Sequence, residues 1–176
     1  MFVYDGQSLV NAEVKALSDA IFSLIAMTSS VINDSRHGIL SHTCSNVKSL
    51  KLSQYNGAEE IRKHMMLNTD GHLSQLLREL RTSMPMKDSE DRRKYAYLFI
   101  KQQSNELQQD QTLLELKRIA HKHFSKVHII YIGKSIPSQL QEVVSEYHHT
   151  FDLHHTDTYS NVGNVVYQLS NDFCKS

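Results

Sequence analysis

Two runs of unbroken apolar character, Tyr95 to Ile100 (YAYLFI) and Val127 to Ile132 (VHIIYI), constrain this chain more than any other feature. A strand with one wet face alternates polar and apolar residues, whereas a run that does not alternate has both faces covered, as in parallel sheets flanked by helices. Between the two runs Leu113, Leu116, Ile119 and Ala120 recur at helical spacing, and the polar stretch Gln102 to Gln111 reads as a loop and first turn. Strand, helix and parallel strand in succession form a right-handed crossover unit.

The same alternation extends in both directions. Met1 to Tyr4 is a short apolar run closed by the turn signal Asp5-Gly6, and Val14, Leu17, Ile21, Leu24 and Ile25 follow at helical spacing. His37 to Thr43 and Val47 to Leu52 are strand-like and are joined by Cys44-Ser45-Asn46, a link short enough to predict an antiparallel hairpin. Helical periods run through Ala58, Ile61 and Met65, then through Leu73, Leu76, Leu77 and Leu80. Beyond Gly133 come a helix opened by Pro137, a short strand at Thr150 to Leu153, and a last helix carrying Val162, Val165, Val166, Leu169 and Phe173. The sum predicts an α/β fold: a doubly wound, Rossmann-like, mostly parallel six-stranded sheet with one antiparallel edge strand and helices on both faces.

Composition then removes whole classes of function. The chain has 176 residues, two prolines, no Gly/Ser-rich linker and no repeat, which predicts a single domain over 1–176. A first strand that begins at Met1 predicts a domain excised from a longer protein. Nineteen basic residues balance nineteen acidic ones, so no net field draws the chain to nucleic acid. No apolar stretch is long enough for membrane insertion. Cys44 and Cys174 cannot build a disulfide scaffold or a four-cysteine zinc site. In a doubly wound domain they fall at opposite sheet edges, beyond the bridging limit of about 7 Å, so no bond between them is expected. Cys174 either pairs outside this chain or stays free. Asn33-Asp34-Ser35 is a glycosylation sequon in a predicted loop.

No phosphate-binding glycine loop follows the first strand, and neither G-x-S-x-G nor H-E-x-x-H occurs. Eleven histidines are the compositional oddity. Neighbouring histidines on a strand point to opposite faces, and His121-x-His123 does not converge on one ion, so they read as polar residues that titrate near neutrality. His128, inside VHIIYI, reads as a satisfied core or edge histidine.

The order of these pieces resembles the von Willebrand factor type A (vWA) domain family, over essentially the whole chain. Phe2 to Leu9 matches the family's first strand and its Asp-x-Ser-x-Ser loop, and Gly38 to Thr43 its second strand. Tyr95 to Ser104 is similar to the strand that ends in Thr-Asp-Gly-x-Ser, His128 to Gly133 to the strand closing on Ile-Gly, and Gln139 to Cys174 to the closing segment. The resemblance implies a noncatalytic protein–protein interaction or adhesion module, of the collagen VI or matrilin type. It implies a protein partner such as a matrix protein or collagen and an extracellular, secreted location. The alternative is an intracellular scaffold, cytoplasmic or nuclear, in a proteasome or transcription-repair assembly.

The family's metal-ion-dependent adhesion site takes five oxygen ligands at the carboxyl edge of the sheet. Carried over, Asp5 is kept, Gln7 and Leu9 stand where two serines belong, Thr69 falls near the threonine, and Lys101 replaces the second aspartate. This degenerate set implies no cofactor, with Mg²⁺ held weakly at most. Asp5, Gln7, Ser8, Thr69 and Lys101 are the candidate binding positions, and no catalytic residue is expected. Ser8 and Thr69 serve equally well as helix N-caps, and Asp5 as a brace for the first turn. A lysine ending an apolar central strand needs a counter-charge, and Asp5 on the adjacent strand is the nearest candidate. An α/β enzyme would need convergent acid and base groups in the same crevice, where only Asp5 and Lys101 are available.

Overall fold

The computed structural model describes residues 1–4, 10–31, 39–40, 72–83, 94–102, 106–122, 124 and 126–173. Along the chain these form β1 (Phe2–Tyr4), α1 (Asn11–Val31), β2 (Ile39–Leu40), α2 (Leu73–Ser83), β3 (Tyr95–Lys101), α3 (Glu106–Ala120), β4 (Lys126–Ile132), α4 (Ser138–Glu146) and β5 (Phe151–Thr156). A 3₁₀ turn (Tyr159–Asn161) then leads into α5 (Val162–Phe173).

The described strands make one five-stranded sheet in the order β2-β1-β3-β4-β5, and every neighbouring pair is parallel. This is a doubly wound order, in which the chain leaves β1 toward β2 on one side and later returns to β3 on the other. The expected antiparallel sixth strand at Val47–Leu52 lies outside the described residues, as do the Ala58–Met65 helix, Cys44, Cys174 and the Asn33 sequon.

Both faces of β1, β3 and β4 are apolar, and the structure uses both. Phe2, Tyr4, Tyr97, Phe99, Ile130 and Ile132 project to one side, against Leu17, Ile21 and Leu24 of α1 and Val162, Val166 and Leu169 of α5. Val3, Leu98, Ile100, Val127, Ile129 and Phe151 project to the other, against the leucines of α2, Leu116 and Ile119 of α3, and Leu140 and Val143 of α4. The α1 spacing Leu17, Ile21, Leu24 places three fully buried side chains on one stripe, each contributing roughly 1.5–3 kcal/mol by leaving water. Leu98, fully buried in the central strand, is a position where truncation to alanine is expected to cost about 2–5 kcal/mol.

Two boundaries differ from the sequence reading. Helix α3 starts at Glu106, so the polar stretch read as a loop and first turn already holds more than one helical turn, with Asp110 and Gln111 on its exposed face. Strand β5 continues past Leu153 through His154, His155 and Thr156, since an edge strand needs only one covered face.

Candidate functional site

The carboxyl ends of β1 and β3, where the winding reverses, mark the crevice in which this topology places ligands. Lys101 is the last residue of β3 and pairs in register with Ile132 of β4. Its ammonium lies 3.2 Å and 3.3 Å from the two carboxylate oxygens of Glu13. Both side chains are partly exposed, 35% for Lys101 and 24% for Glu13. The same cation stands 5.8 Å over the ring of Tyr159, a buried residue of the 3₁₀ turn, which adds a cation–π contact.

Glu13 is held in place by helix-end chemistry. Val10 is the N-cap residue of α1: its carbonyl accepts from the Val14 N–H at 3.0 Å, and its own N–H donates to Glu13 Oε2 at 3.0 Å. Glu13 is thus the third residue of the helix reaching back to the cap, the acidic half of a capping box, while the helix N-terminus favours its charge. One carboxylate closes the helix end and neutralises the strand-end lysine.

Beside Lys101 the loops after β3 and β4 are latched together. The Gln102 N–H donates to Ile132 O at 2.8 Å, and Gln102 Oε1 accepts from the Lys134 N–H at 3.2 Å. Gly133 lies against Gln102 so closely that a Cβ on it would stand 2.7 Å from Gln102 Cβ. Only a glycine fits, which is the physical content of the Ile132-Gly133 ending. The Gly133 N–H donates to Thr156 O at 3.0 Å, and its carbonyl lies 2.7 Å from His155 Nε2. Asp157 then accepts from the Asn161 amide at 2.9 Å, a bond that holds its carboxyl below the ordinary value.

Between α3 and α4 at the same edge is a cavity of about 30 Å³, lined by Ile100, Lys101, Gln109, Thr112, Leu113, Tyr131, Pro137 and Leu140. It has room for one or two water molecules. The buried Thr112 hydroxyl on its wall has no hydrogen-bond partner among the described residues. Burial pushes the Tyr131 phenol up from its ordinary value.

Of the five candidate positions, Lys101 is placed here, and Asp5, Gln7, Ser8 and Thr69 lie outside the described residues, so the Lys101–Asp5 pairing does too. Glu13 and Tyr159 were not read from the sequence. The N3 position of Glu13 was the available signal, hidden because valine, not serine or threonine, occupies the cap. At the end of β3 the ammonium of Lys101 and the Glu13 carboxylate beside it are engaged with each other, and Glu13 also accepts from the Val10 N–H. Among the described residues no group of three or more His, Cys, Asp or Glu side chains is arranged to hold a metal ion.

At the opposite, amino edge His128 is a satisfied histidine, as its setting in VHIIYI implied. It is nearly buried and stacks on Tyr97 at 5.1 Å, with Nδ1 3.4 Å from His154 Nε2 and 3.7 Å from Asp152 Oδ2. Burial, with Tyr95 adding to it, raises the Tyr97 phenol far above its ordinary value. His154 and His155 point to opposite faces, one toward His128 and the other toward Tyr131.

No protein-family model matches this sequence, and no curated protein matches it. Solved structures do match. Proximal thread matrix protein 1 from the mussel byssus superposes on 98% of this chain with a TM-score of 0.69 at 16% identity. This chain covers 46% of the length of that protein. The SpRpn10 VWA domain matches 94% of this chain and 93% of its own length, with a TM-score of 0.69 at 13% identity. A von Willebrand factor type A structure from Catenulispora acidiphila matches 96% of this chain and 41% of its own, with a TM-score of 0.62 at 11% identity. At such identities the likeness speaks for the backbone alone, and the fold of this chain is that of a vWA domain.

Proposed function

We propose that this chain is a noncatalytic protein–protein interaction domain, a single vWA-like unit over 1–176, that engages its partner without a functional metal site. The observation that carries the reading is the Lys101 ammonium, 3.2 Å from Glu13 at the carboxyl end of β3. The Lys101–Glu13 pair is partly exposed, so polar groups of a partner can join it at this strand end without a bridging cation. The backbone likeness to a byssal thread matrix protein supports service in an extracellular matrix or cell-adhesion protein, with a matrix protein or collagen as partner. The likeness to the SpRpn10 VWA domain, which extends over nearly all of both chains, supports the second reading, an intracellular scaffold of a multiprotein complex. No described helix is long and apolar enough to cross a membrane.

The test has two arms. Millimolar Mg²⁺ or Mn²⁺ is expected to leave the melting temperature unchanged, because a cation bound to the native state raises it by mass action. Cross-linking capture with the wild-type chain and with Lys101→Glu, in the presence of EDTA, is expected to recover a partner set that the variant loses. Equal recovery by both, or recovery abolished by EDTA, removes the reading. Immunolocalisation of the full-length protein separates the matrix from the intracellular alternative.

A further inference from the structure

The packing of α2 on α3 encloses a carboxylate. Glu115 points from α3 toward α2, its side chain is 3% exposed, and three guanidinium groups converge on it. Arg81 Nε donates to Oε2 at 3.3 Å, Arg118 Nη1 donates to Oε1, and Arg78 Nε stands 3.7 Å from Oε1. Three positive charges around one negative charge leave two uncompensated. None of the three arginines has another acidic partner among the described residues. The nearby Lys117 is 3.9 Å from Glu146 on α4, so that acid is taken up by a different cation.

The charge of one carboxylate is neutralised by a single guanidinium. Each arginine carries five N–H donors, and the contacts above use one nitrogen of each. Arg78 is 65% exposed and Arg118 is 48% exposed, so their remaining donors face outward, while both groups are drawn to the same Oε1 from neighbouring helices. Glu115 therefore acts as a buried peg that gathers like charges against their mutual repulsion. The conformational entropy of fixing these long side chains is largely lost before any ligand arrives.

We propose that the Arg78–Arg81–Arg118 cluster on the α2–α3 face is a docking site for an acidic, carboxylate-rich segment of a partner protein, with Glu115 as its positioning residue. Charge complementarity selects this occupant: three guanidiniums around one carboxylate leave two excess positive charges on this face. The site deepens the interaction-domain reading on which it rests, and it lies on helices α2 and α3 rather than on the strand end that carries Lys101.

The experiment is fluorescence anisotropy of a labelled ten-residue polyglutamate peptide titrated with the whole chain at low and at physiological ionic strength. Saturable binding that weakens with salt is expected. Arg78→Gln combined with Arg118→Gln is expected to weaken binding at least tenfold. The charge-matched control Lys15→Gln with Lys134→Gln, two exposed lysines elsewhere, is expected to leave it unchanged. Glu115→Gln raises the net positive charge by one, yet is expected to bind more weakly because the guanidiniums are no longer gathered. Absence of saturable binding, equal loss in the lysine control, or tighter binding by Glu115→Gln overturns the proposal. Heparin binding more tightly than the peptide overturns it as well, by assigning the patch to sulfated polymers. All three glutamine variants are checked by thermal melting, and the arginine pair, being exposed, keeps the test open if Glu115→Gln does not fold. Loss of partner capture in Lys101→Glu is read separately, so failure at one face is distinguishable from failure at the other.

Discussion

The Lys101–Glu13 pair and the Glu115 cluster use the same functional groups in opposite arrangements. At the carboxyl edge both partners are partly exposed, and the carboxylate also closes a helix end. Between α2 and α3 the carboxylate is buried and the cations are the exposed members. An ion pair is only as indispensable as its most buried member, because removing the partner of an exposed charge hands that charge back to water. At the edge either member can be lost at modest cost. In the cluster, the carboxylate can do without any single arginine, but the arginines' arrangement depends on the carboxylate.

A third charge sharpens the comparison, since it has no counter-ion among the described residues. The Met1 amine donates to Tyr95 O at 2.9 Å, and burial brings its pKa from 8.0 down to about 5. With the Met1 amine free, folding therefore favours its neutral form, and the unfolded chain binds more protons between these two values. Three pKa units at 1.36 kcal/mol each give on the order of 4 kcal/mol, lost as pH falls from about 8 to about 5 and constant outside that window. Denaturant melts across this range check it. Extending the chain ahead of Met1 turns the amine into an amide, and the slope assigned to it is expected to vanish.

Next in size is Glu115→Leu, which leaves three guanidiniums without their anchor. A loss of about 2–3 kcal/mol is expected in urea unfolding, less than for a pair buried on both sides, because the arginines can swing into water. Lys101→Met comes third at about 1 kcal/mol, since Glu13 keeps its bond to the Val10 N–H and remains partly hydrated. A double-mutant cycle with Glu13→Gln is expected to return a coupling below that value, and a coupling of several kcal/mol would make the edge pair as hard to replace as the buried carboxylate. The smallest effect is expected for Arg78→Ala, within about 0.5 kcal/mol, given its long contact and high exposure. A larger loss would show that the cluster needs all three arginines, which breaks the asymmetry.

What the sequence disclosed follows from how locally each feature is encoded. Strands β3 and β4 and helix α2 were legible because their apolar periods are complete within the element. The far end of β5 was not, since His154 and His155 carry no apolar signal and their pairing with Ile130 and Tyr131 is a property of register. The start of α3 was missed because a polar helix face and a polar loop look alike. At the candidate site the need for a charge opposite Lys101 was legible, but Glu13, 88 positions away, was not. Glu115 and Arg118 are separated by one helical turn and could have been paired from spacing alone, whereas Arg81 lies 34 positions away from Glu115. Short-range partners are written in the sequence, and long-range ones depend on the topology that joins them.

Gly133 carries a further consequence. Because its α-carbon rests against the Gln102 side chain with no room for a methyl group, Gly133 fixes how closely Gln102 and the start of the loop after β4 approach. The missing side chain acts as a gauge block that sets a fixed spacing along the rim. Through the Thr156 carbonyl and the His155 ring, the same residue ties β5 into that spacing. Contacts of this one glycine thus connect the ends of β3, β4 and β5.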